Sequence, residues 1–445
     1  MEPNTLLDAL LEEAGMSRLG LATRLNRASE ARGKATNYDH TSVIRWLRGQ
    51  RPRGNVPDLI CDILAERLGR PVNLEDIGMG TPGTTPEPGA PLDGFIEQST
   101  ALWRGDQNQR PDLQEAPVIT GLRAVGPVWE WENPPEDRDV SRLGTVRVSE
   151  PDVVMLRAAR KHYEEMYRKA GGVATRARVI RFLTAETAPI LRGSYTDSTG
   201  RELHRAVGGL VAIAGICSYD SDSQGLAQRY FHQALRLAKA SGDRAFGGYV
   251  VGLLVNQSLF MREYRQAVAF AEAAVRTAGQ HMSPALATDI YAMQAKAYAR
   301  MGDQSGAHRC MTLAETAVGQ IRRDEEPAET GYVQPGLVEA QFADALLRLG
   351  DLVQAQEYAR EAVRVQSHAR GRAHRLATLT DIELRSGDAD RAAATAVEMV
   401  ETVQGMESRR LRDRLVTVRN ALASWGSTAT EDAEQRIDDV LSLPV

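Results

Sequence analysis

Apolar residues recur at helical spacing from the start of the chain. Leu6, Leu7, Leu10 and Leu11 form one stripe over residues 4–14, with Asn4 or Thr5 placed to cap it and Gly15 to end it. Ser17 opens a second helix whose inner face carries Leu19, Leu21, Ala22 and Leu25, the small Ala22 suiting a close helix crossing. A third helix, Asp39–Arg48, sets Val43, Ile44 and Leu47 against a small polar start of Asp39, His40, Thr41 and Ser42. It stops at Gly49, and Pro52 cannot continue it. A fourth, Pro57–Leu68, begins on a tolerated proline and stripes Leu59, Ile60, Ile63, Leu64 and Leu68. Short helices in this order over residues 1–78 predict a helix-turn-helix domain. The segment Asn26–Tyr38 is longer than the usual turn and reads as a basic, glycine-containing arm.

Residues 79–150 predict a Pro/Gly linker followed by an irregular segment. Residues 79–94, a dense mix of proline, glycine and other turn formers, cannot bury a core of their own and read as a linker. Beyond them Val128, Trp129 and Trp131, then Val146 and Val148, alternate as in a hairpin or an extended segment, and Trp103, Trp129 and Trp131 read as packing anchors. Residues 151–445 return to helical periodicity. Asp152–Lys169 and Ala174–Arg192 are separated by Gly171 and Gly172. From residue 206 a helix pair repeats, in units of about 34 residues or slightly more, with small residues where helices cross. The second helices carry Ala227, Phe231 and Ala234, then Ala267, Ala271 and Ala274, then Ala307, Met311 and Ala314, then Ala355, Ala359 and Ala362, and last Ala392, Ala396 and Met399. Gly302-Asp303, Gly350-Asp351 and Gly387-Asp388 precede three of them. One pair cannot bury its apolar face alone, so such units stack into a superhelix with a concave groove, closed here by capping helices over Arg409–Leu443.

Composition supports an all-α fold: 42% of residues are hydrophobic and only 5% aromatic. No run of apolar residues reaches membrane-spanning length, and the acidic, amphipathic start lacks the form of a secretory signal, which predicts a cytoplasmic protein. Cys61, Cys217 and Cys310 stand far apart in apolar helical contexts and read as small buried hydrophobes. The net charge is −5, yet residues 18–53 hold nine basic residues against two acidic ones. A basic block on an acidic chain points to a nucleic-acid face confined to one small domain.

That face predicts contacts with double-stranded DNA. His40, Thr41 and Ser42 stand at the start of the third helix, where Thr41 and Ser42 can meet base edges or cap the first turn. Arg45 can reach guanine O6 and N7, Arg48, Arg51 and Arg53 suit phosphates, and Lys34 lies on the arm. Trp46 packs on the fourth helix. A single domain of this kind binds weakly, so a homodimer reading two half-sites is expected. In the repeat groove Tyr219, Tyr249, Asn256, Gln257, Tyr291 and Gln294 are polar residues on otherwise apolar helices. They are candidates to hold a peptide, small-molecule or protein ligand, and an amide such as Asn256 can grip an extended backbone with two hydrogen bonds. Catalytic signatures are missing: Gly171–Arg176 is not a phosphate loop, and no nucleophile stands beside a base. His162 with Glu165, Glu164-Glu165 and Asp438-Asp439 read as solvated charge, so neither an enzyme nor a cofactor is expected.

The stretches YDHTSVIRWLRGQRPRG at Tyr38–Gly54, VPDLICDILAERLGRPVNLEDIG at Val56–Gly78 and GLAQRYFHQALRLAKASGD at Gly225–Asp243 carry a family resemblance. The chain resembles a family of actinobacterial regulators that join an N-terminal helix-turn-helix of the lambda-repressor (XRE-like) type to C-terminal tetratricopeptide repeats. It is similar to members implicated in negative control of sporulation and antibiotic production. The resemblance implies a nucleoid-associated transcriptional regulator, repressing developmental or secondary-metabolism genes, whose repeats serve dimerisation and the sensing of a signal or partner. More distantly the layout is similar to peptide-sensing regulators whose repeat groove binds a small signal. The arm Asn26–Tyr38 departs from the lambda-repressor pattern. The competing expectation is a repeat-based scaffold whose N-terminal helices do not read DNA.

Overall fold

The computed structural model describes residues 3–31, 36–52, 56–68, 72, 74, 76–79 and 91–442. Helices make up the regular structure among them, and two isolated bridges, Arg142 with Tyr195 and Arg147 with Ser194, take the place of any sheet. Among the described residues no helix is long and apolar enough to cross a membrane. The chain divides into two compact units, residues 1–114 and 115–445.

The first unit holds α1 (Thr5–Glu13), α2 (Arg18–Ala31), α3 (His40–Leu47), α4 (Val56–Leu68), α5 (Leu92–Gln107) and α6 (Pro111–Gln114). Leu7, Leu10, Leu21, Ala22, Leu25, Val43, Trp46, Leu59, Ile60 and Leu64 meet in one core. Leu19 is not among them; it is 60% exposed. On a helix it lies about 200° round from Leu21, so a stripe through Leu21, Ala22 and Leu25 turns Leu19 to solvent. Asn4 ties three parts together. Its side-chain oxygen accepts from Leu7 N (3.1 Å), its Nδ2 donates to the Ile77 carbonyl (2.8 Å) and its backbone N–H donates to the Leu47 carbonyl (2.7 Å). Helix α5 begins at Leu92, where the sequence pattern predicted linker and then irregular chain. It buries Phe95, Ile96 and Trp103, and Arg104 pairs with buried Asp76 at 2.5 Å.

The second unit begins with α7 (Leu122–Glu132), α8 (Glu150–Ala170), α9 (Gly172–Phe182), a π-helical turn at Leu183–Thr187 and α10 (Ala188–Leu191). Six helix pairs follow: α11 (Asp197–Asp220) with α12 (Gln224–Ser241), α13 (Arg244–Phe260) with α14 (Tyr264–Ala278), and α15 (Pro284–Arg300) with α16 (Gln304–Val318). Then come α17 (Leu337–Leu349) with α18 (Leu352–Arg364), α19 (Ala369–Arg385) with α20 (Ala389–Thr402), and α21 (Arg409–Ala423) with α22 (Thr428–Ser442). All fifteen repeat residues singled out on the second helices are buried. In the first five pairs the turn passes through a left-handed residue, in order Asp222, Arg262, Gly302, Gly350 and Gly387. The first three stand 40 residues apart, a longer unit than the sequence spacing predicted. After each of the three glycines an aspartate caps the next helix: Asp303 accepts from Gly306 N, Asp351 from Gln354 N and Asp388 from Arg391 N.

Alternation misleads over residues 128–131, which are helical. Two residues apart on a helix diverge by about 200°, so Trp131 is buried while Trp129 is 57% exposed. The chain before α8 lies along α12. Gln228 holds Ile119 through both backbone groups, accepting from its N–H (2.7 Å) and donating to its carbonyl (2.9 Å). Arg236 forks onto Asp137 at 2.7 and 2.8 Å. The indole of Trp131 fills the space that Gly247 leaves, where a Cβ would collide with it.

Candidate functional site

Helix α3 is built to show one face. Asp39 caps it: one carboxylate oxygen accepts from both the Ser42 N–H and the Ser42 hydroxyl, each at 2.8 Å. The bond from the Ser42 backbone, then that from its side chain, holds the Asp39 carboxyl below its ordinary value. Ser42 is only 5% exposed and is committed to this box, so of the two roles open to it from sequence it takes capping. Val43, Trp46 and Leu47 go to the core, and Tyr38 meets Trp46 edge to face at 5.3 Å. Trp46 is thereby buried. His40, Thr41 and Arg45 are exposed on α3, as are Arg48 at its C-cap and Arg51 beyond its end. Thr41, Arg45 and Arg48 share a face at helical spacing, and one guanidinium nitrogen of Arg45 leans back to the Ser42 hydroxyl at 3.3 Å. Arg53 and Lys34 lie outside the described residues.

The residue that positions α3 is one the sequence reading passed over. Asn26, on α2, accepts from the Tyr38 N–H (2.8 Å) and donates to the Tyr38 carbonyl (2.9 Å). Its oxygen also accepts from the Thr36 hydroxyl at 3.0 Å. The arm is thus fastened to α2 immediately before the Asp39 cap. The signal in the sequence is an asparagine next to the buried stripe of Leu21, Ala22 and Leu25. Arg24 and Arg27 of the same helix are exposed.

In the second unit the six groove candidates do not form one site. Tyr219 and Asn256 come together, but the buried Tyr219 hydroxyl has no hydrogen-bond partner among the described residues. The Tyr219 ring also packs on Phe260 at 5.5 Å and beneath the Arg410 guanidinium at 4.1 Å. Tyr249 is buried elsewhere, beside Tyr332 and amid the charges of Arg160, Glu164 and Arg168 from α8; burial, first of these influences, pushes its hydroxyl up. Gln257 is used structurally, donating to the Gln224 carbonyl at 2.8 Å and so joining the first two pairs. Tyr291 packs at the edge of the α15–α17 core, and Gln294 is buried.

Helix α8 packs along α11 and reaches the start of α19. Its Arg160 lies 3.6 Å from Glu329, which Arg205 of α11 also meets at 2.9 Å. Part of the face read as an open groove is therefore covered by the chain itself. The array also closes end to end. Asp220, at the end of α11, is buried and takes Arg370 of α19 at 2.5 Å, the Ser408 hydroxyl at 2.8 Å and the Gly172 N–H at 2.7 Å. Ser408 in turn caps α21.

Between these contacts the first helices of the pairs turn charge inward. Asp344 of α17 meets Arg300 at 3.1 Å and Lys296 at 3.5 Å. Burial raises its carboxyl, but Lys296, Arg300, Arg414 and Arg348 outweigh burial and bring it down to about 2. Asp289 stays above its ordinary value because burial exceeds the help it receives from the Tyr332 hydroxyl (2.6 Å), Lys296 and Gln341 (2.7 Å).

The first unit is a small helical domain presenting a basic helix face, and the second an array of helix pairs. Residues 7–80, spanning nearly all of α1 and the whole of α2 to α4, match the family model of the SP15 N-terminal domain. No curated protein matches the chain.

Proposed function

We propose that this protein is a DNA-binding transcriptional regulator that represses developmental or secondary-metabolism genes. The observation that supports it is α3: buried through Val43, Trp46 and Leu47, exposed through Thr41, Arg45 and Arg48, and fixed at its start by a capping box. A two-turn helix held so firmly on one side offers the other to the major groove. Thr41 and His40 are short enough to approach base edges, Arg45 can fork onto a guanine, and Arg48 and Arg51 serve phosphates. On this reading the second unit, a tetratricopeptide-like array, supplies self-association as a dimer and a surface for a signal or protein partner, and the protein works on the nucleoid in the cytoplasm.

The test is selection of genomic fragments by the purified chain at moderate salt, beside Arg45→Ala and Arg48→Ala. Wild type should enrich a defined site. Loss of Arg45 should relax discrimination at one base pair by about 1–3 kcal/mol, whereas loss of Arg48 should weaken all sequences alike and lower the salt dependence. Absence of enrichment by the wild type would point instead to a scaffold, whose partners would be captured equally well by the arginine variants.

A further inference from the structure

On α15, α17 and α21 cations gather around few carboxylates. Three cations share the single carboxylate of Asp344: Arg300 at 3.1 Å, Lys296 at 3.5 Å and Arg348 at 3.9 Å. Two more arrive from α21. Arg414 donates to the Thr378 hydroxyl at 3.0 Å, and among the described residues no carboxylate comes within ion-pair distance of it. Arg410 lies over the rings of Tyr219 (4.1 Å) and Phe260 (4.9 Å), and its buried Nε has no hydrogen-bond partner. The other acids nearby are engaged or out of reach. Asp220 is held by Arg370 and Asp381 by Arg385, while Asp413 and Asp222 do not come within ion-pair distance of Arg410.

Arg410 and Arg414 stand one turn apart on α21, and Arg414 meets α19 at Thr378, one turn on from His374. Arg410, Arg414, Lys296 and His374 are each half-buried, neither sealed in the core nor spread on an outer surface. His374 of α19 feels burial first and then, in order, Arg370, Arg410, Arg414 and Lys296, which together hold its imidazole well below its ordinary value. Side chains from α15, α19 and α21 thus crowd one point with positive charge. A concave, partly dry wall focuses such a field on any anion that enters it. Guanidinium groups fixed by aromatic stacking keep their forked N–H edges for an oxyanion and lose little freedom in binding one.

We propose that the inner face of the helix-pair array binds a small, multiply charged oxyanion, a phosphate or a polycarboxylate, between Arg410, Arg414 and Lys296. This names a ligand class for the sensing half of the proposed function and rests on that reading only for any effect on DNA. Binding itself needs no DNA.

The test uses the full chain. Thermal unfolding is followed with pyrophosphate, with citrate and with sodium chloride at matched ionic strength, for wild type, Arg410→Gln, Arg414→Gln and, as an outer-surface control, Arg364→Gln. One oxyanion should raise the midpoint of the second unit several degrees above chloride, and the arm that does so identifies phosphate or carboxylate chemistry. Either inner-face change should weaken binding at least tenfold, and the control should not. Hydrogen exchange on the wild type supplies a readout that needs no variant: the oxyanion should slow exchange in peptides covering 370–380 and 408–416. Equal effects of chloride and both oxyanions, protection that survives in both inner-face variants, or slowed exchange confined to other segments would each overturn the proposal. Site selection on DNA in the same samples separates the two readings, since an oxyanion site can fail while α3 still selects its sequence, and the reverse.

Discussion

Two left-handed residues show how single positions carry strain that the pattern around them hides. In the turn positions of the first five pairs, glycine occupies three, while Asp222 and Arg262 adopt φ of +61° and +63°. A side chain in this region costs on the order of 1 kcal/mol relative to glycine. Arg262→Gly should therefore stabilise the second unit by up to about 0.5 kcal/mol after the extra freedom glycine adds to the unfolded chain. Urea unfolding measures it, and a lower midpoint would show that the Arg262 side chain contributes more than its backbone costs. Asn26 is the opposite case, a residue of ordinary conformation with three partners. Asn26→Ala removes both bonds to the Tyr38 backbone and should cost about 1–2 kcal/mol locally. Amide exchange in α3 should speed up about tenfold or more, with exchange in α11 to α22 unchanged.

At the scale of elements, what could be read from sequence follows the range of the interaction. The pairs α11 to α20 were legible because Ala227, Phe231, Ala234 and their equivalents repeat at helical spacing and each Gly-Asp turn caps locally. Helices α1 to α4 were legible for the same reason. Helix α5 was hidden by the Pro/Gly stretch before it, and α7 by an alternation of Val128, Trp129 and Trp131 that mimics a strand over four residues. The placement of α8 against the array was invisible, because its partners, Glu329 and Arg370, lie far along the chain. A two-bond amide grip on a backbone does occur within the chain itself, at Gln228 on Ile119 and at Asn26 on Tyr38. Of the face on α3, the exposed arginines were legible from the apolar stripe opposite them, while the commitment of Ser42 to the Asp39 capping box needed coordinates. Asp344 joins α15 to α17, and its charge makes the junction sensitive to acid. Its folded value of about 2 lies below the ordinary 3.8, so its stabilisation is complete above about pH 4 and is lost as pH falls toward 2. The contribution is on the order of 2 kcal/mol. Asp344→Asn should flatten the acid limb of a stability profile between about pH 4 and 2, and an unchanged limb would assign the acid sensitivity to other carboxylates.

At the scale of the molecule, contacts between distant residues close the second unit, among them the hydrogen bond from Ser408 to Asp220, 188 residues apart. Asp220 has no exposed surface, and Arg370, its ion-pair partner, is also buried. Removing one member strands the other charge inside the protein. Asp220→Ala should therefore cost the second unit about 3–5 kcal/mol, whereas replacing both, as in Asp220→Leu with Arg370→Met, should recover a large part of the loss. Because residues 1–114 and 115–445 are separate compact units, calorimetry of the full chain should show the second unit's transition falling while the first unit's stays in place. If both transitions fall together, the closure matters to the whole chain and the two units do not unfold independently. If neither moves, the other contacts between the ends, such as Arg410 over Tyr219, suffice, and the buried ion pair is replaceable without consequence. A fall confined to the second unit, reversed in the double variant, would establish that this array keeps its ends joined through one buried charge pair.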